Sequence, residues 1–286
     1  MKFSFIKENL SAFPIDVVCV VLEVSRSGFY AWRVRAPSAR AGLRAQLGVK
    51  IRAVHQLNRK VYGSPRIYEA LKAAGESVCE NTVAAVMREQ EIRGKAKRKF
   101  VPRTTDSNHA NPVAGNVLDR QFHAALPDQK WAVDITYIPT TEGWMYLAGV
   151  MDLCSRKIVG WAMADHMRVH LVSDALTMAV MHRKPGRGLL HHSDRGVQYA
   201  SDDYQHLLQS HDMLVSMSNK GDCWDNAAME SFWSTLKTEL VHHEHYATRA
   251  EAQASIFEYI EVFYNRKRLH SSIGYQSPEA FEAGLN

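Results

Sequence analysis

From Pro127 onward, the chain alternates between short apolar runs rich in β-branched residues and longer segments with helical periodicity. Gly143 and the pair Ser155-Arg156 lie where two consecutive hairpins would turn. The pattern predicts strands at 131–138, 144–153 and 157–164, a helix at 169–183, a strand at 188–194, a helix at 201–211 and a strand at 213–218. This order indicates an α/β domain in which a mixed five-stranded sheet is flanked by helices.

The length and composition bound the class of protein. A chain of 286 residues is long for one hydrophobic core, so we expect two or three domains. No apolar run approaches the roughly 20 residues needed to cross a bilayer, and residues 1–8 do not resemble a signal peptide. We therefore expect a cytoplasmic protein. The four cysteines are scattered without a CxxC pair, which favours neither a disulfide framework nor a zinc site.

Charge is distributed unevenly along the chain. Residues 1–110 contain 20 Lys and Arg against 9 acids, whereas the remainder is mildly acidic. A basic N-terminal part next to an acidic part is typical of an enzyme that binds nucleic acid with one region and performs chemistry with another.

The N-terminal part predicts small helical modules. A helix pair over 14–33, with Ser25 as a cap, belongs to a first region at 1–40. A second region at 44–95 contains three helices, of which the middle one is expected to start with Ser64 as its cap and Pro65 at its first position. Such an arrangement is typical of a helix-turn-helix module, although a bundle that only packs is the alternative.

Residues at the start of the last helix of this module are candidates for DNA contact. We predict that Asn81 and Thr82 lie against bases or phosphates. A basic run follows within a linker at 96–125, and its neighbourhood supplies candidate phosphate contacts: Lys95, Lys97, Arg98 and Lys99.

Three carboxylates stand out in the C-terminal part, 126–286. Asp134 lies within an apolar strand, Asp194 ends another strand, and Glu230 lies in a helical segment 36 positions beyond Asp194. A lone acid in a strand is usually a satisfied buried acid or a cap. An ionised carboxylate in an apolar strand nevertheless costs several kcal/mol unless it is paired or coordinated. Two strand aspartates and a helix glutamate are hard oxygen ligands suited to Mg²⁺.

Four stretches, in order along the chain, carry a resemblance to a known family. They are Trp131-Ala-Val-Asp-Ile-Thr-Tyr137, His191-His-Ser-Asp-Arg-Gly-Val-Gln-Tyr-Ala-Ser201, Asp225-Asn-Ala-Ala-Met-Glu-Ser-Phe-Trp233 and Tyr264-Asn-Arg-Lys-Arg-Leu-His-Ser-Ser-Ile-Gly-Tyr-Gln-Ser-Pro278. The chain resembles the larger reading-frame protein (OrfB) of the insertion-sequence-three family, within the superfamily of DDE transposases and retroviral integrases.

The resemblance implies a ribonuclease-H-like catalytic core in which the first and fourth strands are adjacent and parallel. It implies that Asp134, Asp194 and Glu230 are catalytic and hold two Mg²⁺ ions, for which Mn²⁺ can substitute, during cleavage and transfer of DNA strands. The expected partners are double-stranded DNA (the element's terminal inverted repeats and target DNA), further copies of the chain on DNA, and an upstream-frame protein, OrfA. A bacterial, nucleoid-associated location follows from that substrate.

Several residues near the carboxylates have specific predicted roles. Lys237 follows Glu230 by two helical turns and faces the same way, so we expect it to contact a DNA phosphate. Asp225 is expected to cap the helix of Glu230, with Asn226 as the alternative cap. His191 and His192 are interpreted as packing or phosphate contacts rather than zinc ligands. Further candidate DNA contacts are Arg195, Trp233, Arg266 and Arg268.

Two other functions stay open. One is a DNA-binding transposase subunit that is inactive without its OrfA fusion partner. The other is a cellular ribonuclease-H-like nuclease, against which the N-terminal modules and the stretch from Tyr264 to Pro278 argue.

Overall fold

The structure is a computed structural model that describes residues 1–36, 38–96, 112–219 and 223–285. The predicted DNA contacts Lys97, Arg98 and Lys99 lie outside these ranges. Among the described helices, none is both long and apolar enough to cross a membrane.

The N-terminal part is helical, as predicted. Its helices are α1 (Lys2–Glu8), α2 (Ile15–Val21), α3 (Arg26–Val34), α4 (Ala39–Leu57), α5 (Ser64–Ala73) and α6 (Glu80–Glu89). Ser25 caps α3 by accepting a hydrogen bond from the Gly28 amide. The prediction that Ser64 caps α5 is wrong, because Gly63 holds the cap position and Ser64 is already helical.

The C-terminal part is a five-stranded sheet with helices on both faces. Its elements are β1 (Lys130–Thr140), β2 (Gly143–Asp152), β3 (Ile158–Ala164), α7 (Val169–Arg183), β4 (Leu190–Ser193), α8 (Asp202–Ser210), β5 (Leu214–Met217), α9 (Ala227–Glu239), α10 (Arg249–Phe257), its π-helical continuation Glu258–Tyr264, and α11 (Pro278–Ala283). Short 3₁₀ turns occur at Cys223–Asn226, Val241–His243 and Ser271–Ile273.

The strand order is β3-β2-β1-β4-β5, with β1 antiparallel to β2 and parallel to β4. The expected parallel pairing of the first and fourth strands is therefore confirmed. Alternate β1 residues face opposite sides of the sheet, so Trp131 and Val133 pack in the core with α7 and α8, whereas Ala132 packs in the core with α9 and α10. Asp134 shares the side of Ala132, which directs its carboxylate toward α9.

The helical module of α4–α6 packs against the C-terminal part. The Tyr62 hydroxyl accepts a hydrogen bond from the Leu269 amide at 2.8 Å, and Arg66 Nε donates to the Leu269 carbonyl at 2.9 Å. Arg59 forms an ion pair with Glu258, and Lys95 Nζ donates to the Glu239 carbonyl at 2.7 Å. Buried residues of the module and of the sheet domain thus share one hydrophobic cluster.

Candidate active site

The strand register brings the two predicted aspartates together. Lys130 and Ala132 of β1 pair with Leu190 and His192 of β4, a constant offset that places Asp134 and Asp194 at equivalent levels. Both line one cavity of about 70 Å³. Because neighbouring strands are only about 4.8 Å apart, the two carboxylates occupy the same small space.

Each aspartate is oriented by hydrogen bonds. Asp134 Oδ1 accepts from the Ile135 amide at 2.8 Å, and its Oδ2 accepts from the indole nitrogen of Trp233 at 3.0 Å. Asp194 Oδ1 accepts from the Gly196 amide at 2.9 Å. The carboxylates are therefore held in place by the chain itself.

Electrostatics at the pair oppose full ionisation. Burial and the Asp194 charge raise the pKa of Asp134 to about 8, with Glu230 adding to the effect, although the hydrogen bonds from Ile135 and Trp233 act in the other direction. Burial and the same two aspartates raise the pKa of Tyr199, whose buried hydroxyl has no hydrogen-bond partner within the described part of the chain. A cation between the carboxylates would offset this repulsion.

Helix α9 places Glu230 close to Asp134 and Asp194. The Asn226 side chain donates to the Val133 carbonyl at 3.1 Å and so fixes the start of α9 beside Asp134. Glu230 follows one turn later at an exposed position, and partial desolvation raises its pKa. Within the described ranges, no three His, Cys, Asp or Glu side chains form a ready metal-binding cluster. The structure thus brings Asp134 and Asp194 together and leaves Glu230 near them but outside such a cluster.

Of the two predicted caps of α9, the preferred one, Asp225, is wrong, and the alternative, Asn226, holds the cap position. Asp225 is buried and accepts from the Asn219 amide at 2.8 Å, from Asn116 at 2.9 Å and from Arg120 at 3.1 Å. Although burial alone would raise the pKa of Asp225, the Asn219 amide and Arg120 lower it overall. Asp225 therefore ties together the segments before β1 and α9, while Asn226 holds the cap position without a capping side-chain bond.

Two of the residues predicted to contact DNA, Trp233 and Arg268, are buried and engaged by other side chains. Trp233 is only 6% exposed and donates its N–H to Asp134, so it supports the carboxylate. Arg268 is 3% exposed and forms a two-oxygen ion pair with Glu239. The position of Trp233, three residues after Glu230, indicates that it lies near the carboxylates. The sequence could not show that its N–H donates to Asp134, because that residue is 99 positions away in the chain.

The other predicted contacts vary in exposure. Lys237 lies 4.5 Å from the centre of the Tyr137 ring, and burial lowers its pKa while Asp134 acts to raise it. Arg195 Nε donates to the Ser218 carbonyl at 2.6 Å, and Lys95 donates to Glu239. Asn81 and Arg266 are exposed and Thr82 is half-buried; Arg266 lies 3.4 Å from Glu279.

His191 and His192 pack within the sheet. His191 Nε2 lies 2.9 Å from the Tyr204 hydroxyl, and His192 contacts the hydroxyls of Ser216 and Ser218. Burial lowers the pKa of His191 to about 3 and that of His192 to about 4. Both are thus neutral residues of the core, which agrees with the packing interpretation.

Comparison with known proteins identifies the family. Family models of the integrase core domain match residues 124–223 and 230–284, and a model of an HTH-like domain matches residues 43–100. The transposase InsF for insertion sequence IS3A of Escherichia coli (strain K12) is 45% identical over 284 residues, which cover 99% of this chain and 98% of that protein. The chain belongs to the IS3 family of transposases.

Two further similarities accompany this match. The insertion element IS600 uncharacterized 31 kDa protein of Shigella sonnei is 45% identical to this transposase over 92% of the chain and 97% of its own length. The HTLV-2 integrase catalytic core domain in complex with magnesium is 13% identical, with a TM-score of 0.42, over 55% of this chain and 98% of that one.

Family membership confirms the resemblance, the integrase-core fold and the expected activity. The chain is a DDE transposase with an integrase catalytic core and an HTH-like DNA-binding domain. It is accordingly an enzyme of DNA transposition, and the cellular nuclease alternative is set aside.

Proposed function

We propose that Asp134, Asp194 and Glu230 are the catalytic carboxylates of this transposase and that they hold two Mg²⁺ ions, or Mn²⁺ in their place. The observation that carries the proposal is the shared cavity of Asp134 and Asp194 at the same level of two parallel strands. Glu230 is the third ligand because it lies on the helix anchored beside Asp134 and its charge acts on that residue.

The donor set fits divalent metal ions. Carboxylate oxygens are the ligands that Mg²⁺ prefers. The pKa of Asp134 is raised first by burial and then by the Asp194 charge, and a bound cation would oppose both effects. When bound, the ions supply activation of the attacking hydroxyl and stabilisation of the leaving oxygen.

The side chains have distinct tasks in this proposal. Trp233 and the Ile135 amide hold one Asp134 oxygen each, so the carboxylate is oriented before substrate arrives. The Gly196 amide does the same for Asp194. Lys237, held over Tyr137 near Asp134, positions a DNA phosphate at the cavity.

Further DNA contacts are proposed from exposure and charge. Asn81 and Thr82 at the start of α6 contact the terminal repeat, and Arg195 and Arg266 contact phosphates. Lys95 donates one hydrogen bond to the Glu239 carbonyl, and its remaining N–H groups would contact a phosphate.

The partners follow from the reaction. We infer that the transposase joins the ends of its element to target DNA, which requires two ends together and hence more than one copy of the chain on DNA. Such DNA is reached in the bacterial cytoplasm, at the nucleoid. The proposed domains are 1–40, 44–95, a linker at 96–125 and the catalytic core at 126–286, with OrfA as a partner or fusion.

The experiment measures Mg²⁺-dependent nicking and joining of a duplex that carries the element's own end. Glu230→Gln removes a charge at nearly constant shape and is expected to abolish both reactions. Glu244→Gln, at an exposed position after α9, is the control and should retain wild-type activity. Equal activity in wild type and Glu230→Gln would contradict the proposal.

One outcome favours the second candidate, a subunit that depends on OrfA. In that outcome, wild type and variant both bind the duplex but neither nicks nor joins it, and activity appears only when OrfA is fused to the chain. The acidic Glu80 at the start of α6, the helix expected to contact DNA, is the observation behind this alternative.

A further inference from the structure

A second cavity lies on the far side of α9 from the aspartates. It has a volume of about 330 Å³ and is bordered by the helical module, the β2–β3 turn, α9 and the segment after Tyr264. On α9 its lining residues are Ala227, Ala228, Ser231, Phe232 and Thr235. At 100° per residue these form one stripe, whereas Glu230, Trp233 and Lys237 lie on another.

The lining is strongly basic. Arg66, Arg156 and Arg268 come from three distant parts of the chain, and none of the described lining residues is acidic. Arg268 is already neutralised by Glu239. Arg66 and Arg156 donate to the carbonyls of Leu269 and Phe122, and neither forms an ion pair with a carboxylate among the described residues.

Neighbouring groups do not cancel these two charges. Burial and the Arg268 charge lower the pKa of Arg66, and Glu239, which is already paired with Arg268, acts in the other direction. Burial also lowers the pKa of Arg156, which Asp152 opposes. The Asp152 carboxylate, however, is occupied by the backbone amides of Asp128, Cys154 and Ser155.

Neutral donors complete the cavity. The hydroxyls of Ser231, Thr235, Ser271 and Ser272 border it. Burial and the three arginines lower the pKa of His270 to about 2, so this residue lines the cavity in its neutral form. Two guanidinium groups with several hydroxyls are the donor set that binds phosphate oxygens.

We propose that this arginine cavity is a phosphate-binding site. Its ligand is a phosphate group, either a phosphodiester of bound DNA or free phosphate. Because Arg66 belongs to the helical module and Arg156 to the catalytic core, a bound phosphate would hold the two together. The proposal does not depend on the carboxylate site.

The first experiment uses inorganic phosphate as the probe on the full chain, at constant ionic strength set with sodium chloride. Wild type is expected to show a saturable rise in its unfolding temperature. Arg66→Gln removes a ligand, and Ser231→Asp places a negative charge at an exposed lining position without disturbing the core. Each should weaken phosphate binding about tenfold or more, which corresponds to the loss of about one charge-assisted hydrogen bond.

The second experiment measures binding of duplex DNA as a function of salt. If the ligand is a DNA phosphodiester, Arg66→Gln and Ser231→Asp weaken DNA binding and reduce the slope of log K against log salt by about one, while inorganic phosphate has little effect. The control is Gln253→Glu, an exposed position of α10 that makes the same change in net charge. A response to either probe that is lost in both variants but kept in the control supports the site. If the variants and the control behave alike with both probes, the proposal is wrong.

Discussion

At the scale of single residues, the indole N–H of Trp233 connects the sheet to the helix that carries Glu230. It donates to Asp134 Oδ2 at 3.0 Å, and the ring itself is buried. An orienting hydrogen bond of this kind fixes the direction in which a carboxylate presents its oxygens to a metal. Trp233 is thus a positioning residue that acts through Asp134.

Replacing Trp233 with Phe should keep the ring and remove only the donor. We expect strand cleavage to need a roughly 10-fold higher Mg²⁺ concentration, because the Asp134 carboxylate loses its orientation and binds the metal more weakly. The measurement is the Mg²⁺ concentration at half-maximal rate. Trp161→Phe is the matched control, since it also removes an indole N–H bond to a carboxylate, that of Glu261, away from the aspartates. Equal effects of the two variants would show that the Trp233 bond has no special role.

At the scale of elements, Gly149 sets the distance between β2 and α9. It pairs directly with Asp134 across the sheet. A Cβ atom at this position would lie 2.8 Å from Cη2 of Trp233 and 3.3 Å from the Met229 methyl group. The helix can therefore approach closely enough for Trp233 to reach Asp134 because residue 149 has no side chain.

Gly149→Ala is expected to destabilise the protein by about 1–3 kcal/mol through overpacking and to raise the Mg²⁺ requirement as Trp233 shifts. The free energy of unfolding in urea checks the first effect. Gly42→Ala is a helical site where, among the described residues beyond its own helix backbone, no atom lies within 4 Å of the added Cβ, so this change should be neutral or slightly stabilising. A Gly149→Ala variant as stable and active as wild type would refute this account of the packing.

Glu282 ties helix α11 to α7 and to the turn between β2 and β3. Glu282 accepts two hydrogen bonds from Arg183, at 2.9 and 3.0 Å, and one from Ser155 at 2.8 Å. Burial alone would raise the pKa of Glu282, but these donors and the nearby cations lower it overall. Its contribution to stability is therefore present above the ordinary glutamate pKa and is lost as the pH falls through the lowered value.

Glu282→Gln should cost roughly 1–3 kcal/mol of unfolding free energy at pH 7. The difference from wild type should shrink as the pH falls from 5 toward 3, because the wild-type carboxylate then becomes protonated as well. Urea unfolding across this range checks it. Glu279→Gln, in the same helix but in an exposed pair with Arg266, should change stability little. A Glu282→Gln effect that persists undiminished at low pH would be incompatible with the ionic contacts.

Sequence periodicity predicted every strand of the sheet and most helices, because the core-facing residues recur at period 2 or 3.6. The alignment of Asp134 with Asp194 needed the strand order, which the family resemblance supplied. The contact of Trp233 and the true role of Asp225 depend on residues about 100 positions away, and local patterns carry no such information. The cap of α5 lies one residue before the predicted Ser64, because glycine as well as serine is favoured at a helix N-cap and Gly63 and Ser64 are adjacent.

At the scale of the whole molecule, the HTH-like domain and the catalytic core share buried contacts. The Tyr62 hydroxyl accepts from the Leu269 amide and donates to the Lys267 carbonyl. Leu269 and Lys267 belong to the stretch Tyr264 to Pro278 that carried part of the family resemblance. That stretch thus has a structural task, which is to receive the N-terminal module.

Tyr62→Phe should leave the Leu269 amide without its partner and lower the unfolding free energy by about 1–3 kcal/mol. Hydrogen exchange of residues 265–270 should become faster, since docking of the module is weakened. Tyr68→Phe removes a hydroxyl from the same module, one for which no hydrogen bond is found among the described residues, and should have little effect. Unchanged exchange in Tyr62→Phe would mean that the hydroxyl does not hold the two parts together.

The central claim, that the three carboxylates bind the catalytic ions, is tested most directly by counting bound Mn²⁺ by electron paramagnetic resonance. The protein would be titrated in the presence of a duplex with the element's end. We predict two ions per site in wild type and loss of tight binding in Asp134→Asn, Asp194→Asn and Glu230→Gln, with Glu244→Gln unchanged. Two tightly bound ions in all four variants would contradict the claim and place the metal ions elsewhere.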